Sequence, residues 1–210
     1  MLVETMMTKQ VVALDSTMPI GDVTALMEQR HIRHFPIVDE GELVGIVSDR
    51  DLRTVGSEHP KAKVGVSFKD EVAKIMNAPV ITAHPRDPIE EAAKVLCENK
   101  IGAMPVVQEG ELIGIVTAVD FLRELTTMTG VRASSTRLEV ELDNAPGSLA
   151  ALLASIASHN VGVSSILSTK QDAETVSFVL RVDTIDGRGL ADALRSSGFN
   201  VLWPQVKQKL

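Results

Sequence analysis

The chain has a single cysteine, Cys97, and that scarcity closes off two kinds of chemistry. A disulfide needs a second thiol, and a thiolate metal site needs several, so neither forms within one chain. Cys97 sits in the helical-looking run IEEAAKVLCENK, where a lone thiol is expected to be plain core. The five histidines, His31, His34, His59, His84 and His159, show no HExxH or comparable ligand spacing, so no metal is expected. P-loop, GxGxxG and GxSxG patterns are also missing. Basic charge is short as well: 21 Lys and Arg against 28 Asp and Glu give a formal charge of -7. A phosphate-backbone binder displays a basic face to replace counterions, so nucleic acid is not an expected partner. No apolar run approaches the roughly 18 residues a membrane helix needs. The opening MLVETMMTKQ lacks the basic start and apolar block of a signal peptide, so a cytoplasmic location with no membrane partner is expected.

What is present is an ordinary globular composition, 44% hydrophobic and 23% charged over 210 residues, enough for one large or two modest domains. Within it lies a gapless internal repeat. GIVSDRDL, from Gly45 to Leu52, returns as GIVTAVDF, from Gly114 to Phe121, at an offset of 69 residues. The same offset pairs Met7 with Met76, Val11 with Val80, Pro19 with Pro88, Pro36 with Pro105, Gly41 with Gly110 and Asp51 with Asp120. Two copies of one unit imply a pseudo-twofold arrangement with two half-sites.

Each copy reads as a short apolar strand (VVAL, VIT), then a helix, whose stripe in the first copy is Ile20, Val23, Leu26 and Met27. A hairpin follows in FPIVDEGELVGIV and MPVVQEGELIGIV, with Gly41 and Gly110 able to take positive φ at the turn. Ser48 and Thr117 then stand where a strand hands over to a helix. The stretch GSEHPKAKVGVSFKD reads as a polar connector leading into a helix that ends near Met76. From about Ser135 the pattern changes to a βαββαβ order: TRLEVELD, PGSLAALLASIASHN, VSSILST, TVSFVLRV, GLADALRSSG and FNVLW. Asn144 ahead of Pro146 gives a helix-start signal, and Leu149, Leu152, Leu153 and Ile156 fall at core spacing. The expected organisation is a first repeat over 1–57, a connector over 58–69, a second repeat over 70–126, a linker over 127–134 and a third unit over 135–210.

The repeated Ser/Thr-x-x-Asp carries two readings. An adenosine ligand offers a ribose diol that a carboxylate on a first helical turn can bind, each such charged hydrogen bond contributing roughly 1.5 to 3 kcal/mol. A hydroxyl three residues earlier, with the amides of a helix start, suits a phosphate. Asp51 with Ser48, and Asp120 with Thr117, fit both tasks. The same spacings also describe a capping box that merely finishes a helix N-terminus, and duplicating a scaffold duplicates its caps.

The hairpins FPIVDEGELVGIVSDRDL and MPVVQEGELIGIVTAVDFL, with Met7 and Met76, Pro36 and Pro105, and the Gly-x-x-Ser/Thr-x-x-Asp ends, resemble tandem CBS domains over about residues 1–125. The resemblance implies an α/β (α+β) fold in which two repeats pack as one Bateman module with two clefts. It also implies a regulatory adenine nucleotide (AMP, ADP or ATP) as ligand rather than a catalytic cofactor. Ribose binding would fall to Asp51 and Asp120, the neighbouring hydroxyl role to Ser48 and Thr117, and phosphate contact to Arg33 and His34; Thr82 joins the same nucleotide set. The copies differ here, because Gly102 and Ala103 stand where the first has Arg33 and His34, so unequal clefts are expected. RHIRH also reads as a solvated helix end with cations near the C-terminal dipole. The last 75 or so residues resemble an ACT domain of ferredoxin-like fold through LDNAPGSL, with Asn144, Ala145, Pro146 and Gly147 as the implied ligand or dimer loop. Many amino-acid-binding members carry Asn where this chain has Gly162, which leaves pairing of copies beside ligand binding as the unit's role.

The order CBS, CBS, ACT resembles the AcuB family, named for acetoin utilisation. It implies a non-catalytic homodimer that senses an adenine nucleotide and passes its state to a downstream protein partner. A structural adaptor with empty clefts and a sensor of another adenosyl ligand are the alternatives. An enzyme is not expected, since no paired acid and base, activated nucleophile or metal set is present.

Overall fold

The computed structural model describes residues 1–56, 64–131, 134–170 and 174–205. Connector residues 58–63, His59 among them, and linker residues 132 and 133 lie outside the described residues. The chain divides into two units, Met1–Leu122 and Arg123–Leu210.

In the first unit the duplicated sequence gives duplicated elements. Helix α1 (Ile20–Arg30) starts after Pro19 and buries Ile20, Val23 and Met27. Hairpin β2 (His34–Asp39) and β3 (Glu42–Ser48) follows, then the single-turn helix α2 (Asp49–Leu52). In the second copy α3 (Ile89–Asn99) starts after Pro88, followed by β4 (Ala103–Gln108), β5 (Glu111–Thr117) and α4 (Ala118–Met128). Proline suits both helix starts because its missing N–H would have had no intrahelical partner. Both hairpins turn on two residues with positive φ, Glu40 (49°) with Gly41 (89°) and Glu109 (53°) with Gly110 (86°). That pair of angles is a type I′ turn, whose twist matches the flanking strands.

The expected strand VVAL is realised only as β1 (Leu14–Asp15), parallel to β2; VIT forms no strand, and the residue after it, Ala83, makes one bridge to Val106. Pro36 and Pro105, one residue before the paired positions, have no N–H with which to extend either ladder backwards.

The leading segments of the two copies are exchanged. Val3 is fully buried in the second repeat's core with Leu96, Met104, Val106 and Val116, while Val72 and Ile75 are buried in the first repeat's core with Phe35, Ile37 and Val47. Burying one such side chain contributes about 1.5 to 3 kcal/mol. Backbone bonds fix the exchange. Thr8 N donates to Ile115 O and Ile115 N to Thr8 O, at 2.9 and 3.0 Å; Ile46 N donates to Asn77 O and Asn77 N to Ile46 O, at 3.1 and 2.8 Å. The helix expected to end near Met76 is accordingly only a 3-10 turn, Val72–Lys74. Its amides go to the first repeat, Val72 N to Met18 O and Ala73 N to Ser16 O, instead of building a helix of their own.

Cys97 is exposed, contrary to its expected place in the core. The buried stripe of α3 is Ile89, Ala92 and Leu96, and the residue after Leu96 lies about 100° further round the helix.

The second unit is a four-stranded antiparallel sheet in the order β7-β8-β6-β9, formed by β6 (Thr136–Asp143), β7 (Val163–Lys170), β8 (Thr175–Val182) and β9 (Asn200–Trp203). With α5 (Ser148–Ser158) after β6 and α6 (Gly187–Ser196) after β8, the chain order is βαββαβ. Leu138, Val140, Leu142, Leu180, Val182 and Val201 of the sheet meet Leu152, Ile156, Leu190 and Leu194 of the helices in one core. Asp186 caps α6 by accepting from Gly189 N at 2.9 Å. Asn144 does not start α5. Gly147, with φ 93°, is the cap residue, and Asn144 N instead donates to Glu174 O at 2.7 Å, continuing the pairing of β6 with β8.

Candidate functional site

Both Ser/Thr-x-x-Asp motifs fold as caps. Ser48 N and Oγ donate to Asp51 Oδ2 at 2.8 and 2.6 Å, and Thr117 N and Oγ1 donate to Asp120 Oδ2 at 2.9 and 2.6 Å. Asp120 N donates back to Thr117 Oγ1 at 3.4 Å. The capping reading is therefore present in both repeats. In the first repeat it does not displace the ligand reading, because both Ser48 donors fall on one oxygen of Asp51, a group with about four lone-pair sites. In Asp51, Oδ1 accepts no hydrogen bond among the described residues. The cap instead fixes the plane of a half-buried carboxylate whose second oxygen can meet a diol.

The helix amides are less available than the sequence implies. Asp49 N donates to Arg33 O and Ala118 N to Gly102 O, each at 3.0 Å, so the first amide of α2 and of α4 is already used.

His34 opens β2 directly opposite Ser48 of β3. Its ring reaches onto the second repeat: a Cβ built on Gly102 would stand 2.7 Å from His34 Nε2 and 3.0 Å from Cε1. Burial pushes its pKa below the ordinary 6.5; Asp49 and Asp51 pull it up, and Arg50 and Arg33 push it down. Arg33 is exposed and lines a cleft of about 520 Å³ with Glu28, His31, Asp49, Arg53 and Phe68, where Arg53 pairs with Asp49 at 2.8 Å. Thr82 lines a different cleft, of about 540 Å³, with Glu42, Val44, Pro79, Val80 and Val107. The structure thus joins Ser48 to Asp51 and Thr117 to Asp120, with His34 beside the first pair. It leaves Arg33 and Thr82 in two clefts lined by neither aspartate.

Two kinds of contact were not read from the sequence. Gly102 looks there like a lost phosphate ligand, whereas in the fold it is the space His34 occupies. Gly45 and Gly114 are where the exchanged segments touch the hairpins: a Cβ on Gly45 would collide with the Met76 thioether, and one on Gly114 would stand 2.5 Å from Met7 Sδ. The signal was available, since both glycines and both methionines recur at the repeat offset.

In the second unit, Asn144, Ala145, Pro146 and Gly147 form one exposed loop ahead of α5. A Cβ on Gly162 would meet Asp183 Oδ2 at 2.7 Å. Among the described residues no group of three or more His, Cys, Asp or Glu side chains is placed to hold a metal, and no helix is long and apolar enough to cross a membrane.

Known proteins resemble a little over half of this chain. The CBS domain pair of protein MJ0100, solved with 5′-methylthioadenosine and S-adenosyl-L-methionine, is 29% identical; the match covers 60% of this chain and 97% of that one, with a TM-score of 0.54. A Vibrio cholerae protein assigned to acetoin utilization (AcuB) is 34% identical, with 65% of this chain and 98% of that one covered and a TM-score of 0.54. Inosine-5′-monophosphate dehydrogenase of Thermoplasma acidophilum is 36% identical over 120 residues, which is 57% of this chain but only 22% of that enzyme. The CBS domain model matches residues 3–58 and 72–127, more than half of the chain and in the register of its internal repeat. The chain belongs to the CBS-domain family.

Proposed function

We propose that this protein is a non-catalytic regulator that senses an adenine nucleotide in the clefts of its CBS pair. The observation that carries the reading is the twice-repeated cap in which a hydroxyl and an amide hold one carboxylate oxygen, Oδ2 of Asp51 and of Asp120. A carboxylate held that way is pre-oriented, so binding a ribose diol costs little further ordering. The bound state would reach a downstream protein by favouring one arrangement of the two repeats, which requires that the ligand bind that arrangement better. Replacing Asp51 or Asp120 by Ala is expected to weaken AMP by about 10- to 100-fold, equivalent to about 2 kcal/mol of diol contacts. Unchanged affinity in both folded variants would leave the aspartates as caps alone.

A second reading, an adenosyl ligand without a terminal phosphate, is favoured by one observation: Gly102 and Ala103 supply no charge where the first repeat has Arg33 and His34. The ligands of the MJ0100 pair are of that kind. The clefts are then unequal, one suited to a phosphate and one to a neutral adenosyl compound.

For the second unit the βαββαβ order and the loop at Asn144–Gly147 support an ACT domain. Its role here is to pair two copies. The carboxylate of Asp183 fills the space beside Gly162 that an asparagine side chain would need, which speaks against amino-acid binding at that point. The edge strand β7 leaves Ile166 and Leu167 at 38% and 42% exposure, whereas Arg195 at the opposite edge donates to Val201 O and Pro204 O. An open edge on one side and a covered one on the other favours a closed dimer over an open chain of copies. The role nearest to hand is one in acetoin utilisation, to which the Vibrio cholerae relative is assigned.

A further inference from the structure

Of the chain's eight methionines, only Met7 and Met76 recur as methionine at the repeat offset. Met7 lies on Gly114 of β5 and Met76 on Gly45 of β3, each thioether filling the space where a Cβ would otherwise stand. Both glycines are buried, and each comes three residues before the hydroxyl that holds a capped aspartate, Ser48 or Thr117. The residue after each methionine exchanges two backbone hydrogen bonds with the same strand, Thr8 with Ile115 and Asn77 with Ile46. Met7 and Met76 are themselves only half-buried. By contrast, Met27 and Met104 lie in the cores at 6% and 1% exposure, and Met1 and Met128 stand out at 53% and 48%.

We propose that Met7 and Met76 form a peroxide-sensitive clamp, whose oxidation to the sulfoxides frees the leading segment of each copy from the hairpin of the other and loosens both capped aspartates together. The step is a two-electron oxidation of each thioether. The sulfur lone pair takes one oxygen of a peroxide as the O–O bond breaks. The proton of the transferred hydroxyl passes to the departing oxygen, which leaves as water or an alcohol. The setting makes each sulfur both reachable and consequential. Half-exposure admits an oxidant as small as hydrogen peroxide, whereas the contact with glycine is close and apolar. A sulfoxide adds bulk and a dipole that needs hydrogen-bond donors, so it favours water over that contact. Because the pair is duplicated, one oxidant acts on β3 and β5 alike. The clamp rests on the fold alone; its effect on ligand affinity rests on the nucleotide-sensing reading.

The test is graded treatment of the full chain with hydrogen peroxide, with each sulfoxide located by peptide mass mapping and each sample measured for thermal unfolding and AMP affinity. Exposed Met1 and Met128 are expected to oxidise first without consequence, Met7 and Met76 next, and buried Met27 and Met104 last. Oxidation of the second pair is expected to lower the melting temperature by at least about 5 °C. It is also expected to weaken AMP by about 5-fold or more. Methionine sulfoxide reductase should restore both values. The double variant Met7→Leu with Met76→Leu, a volume-conserving change, should fold and show neither response. Unchanged unfolding with both sulfoxides in place overturns the proposal. So does an equal loss in the double variant, or resistance of Met7 and Met76 until the buried methionines are attacked. Absence of AMP binding by the untreated protein defeats the sensing reading instead, and the unfolding measurement still decides the clamp.

Discussion

The Met7 thioether lies over Gly114, with Sδ 2.5 Å from where a Cβ on that glycine would stand, although the two residues belong to different copies of the repeat. Met76 stands over Gly45 in the same way. Each strand that ends in a capped aspartate is therefore held by the leading segment of the other copy. Gly114→Ala and Gly45→Ala are expected to destabilise by about 1 to 3 kcal/mol, as overpacking does. Pairing each with truncation of its methionine should recover part of the loss, because the clash is removed. Thermal unfolding of the single and double variants measures the coupling, and strictly additive losses would show that the contact does not matter.

Removing only the cap hydroxyl separates stability from binding. Ser48→Ala and Thr117→Ala are expected to cost about 0.5 to 2 kcal/mol of stability, the usual value of a helix cap. They leave the aspartates in place, so nucleotide affinity should fall less than in Asp51→Ala or Asp120→Ala. Denaturant titration and calorimetry on the same four proteins check both halves.

The ligand-free protein should lose stability on mild acidification. His34 holds its proton less tightly folded than unfolded, so the unfolded chain protonates first as the pH falls through 6.5. Stability therefore declines from about neutral pH downwards and levels off below the folded pKa. His34→Gln should remove that part of the decline. A wild-type profile flat between neutral pH and pH about 5, or one unchanged in the variant, would contradict the assigned burial of the ring.

A charge on the open edge of the second unit should separate copies. Leu167→Lys is expected to raise the dimer dissociation constant at least about 10-fold, since edge lysines block strand addition. Light scattering across micromolar to millimolar concentration reads this out. A monomeric wild type over that range would remove the dimer altogether.

Much of this fold was legible because its strongest signal was periodicity. The gapless repeat placed both hairpins and their Gly41 and Gly110 turns, and the core stripe Ile20, Val23 and Met27 fell where helical spacing put it. The alternating TRLEVELD became β6 over Thr136–Asp143. What was not legible depended on contacts distant in sequence. Nothing within residues 1–8 says that Val3 packs in the other copy, because a buried valine reads the same in either core. Cys97 and Leu96 differ by one step around α3, too little for composition to assign their faces. At the site, Ser48 with Asp51 was visible as a spacing, but the reach of His34 to Gly102 depends on how two copies pack.

The most direct test of nucleotide sensing is isothermal titration of the purified full chain, stripped of carried-over ligand, with AMP and then ATP. The account predicts saturable binding that weakens when Asp51 or Asp120 is replaced by Ala, with a stoichiometry that shows whether one site or both are competent. Heat of mixing alone for both nucleotides, from a protein that is folded, would contradict it.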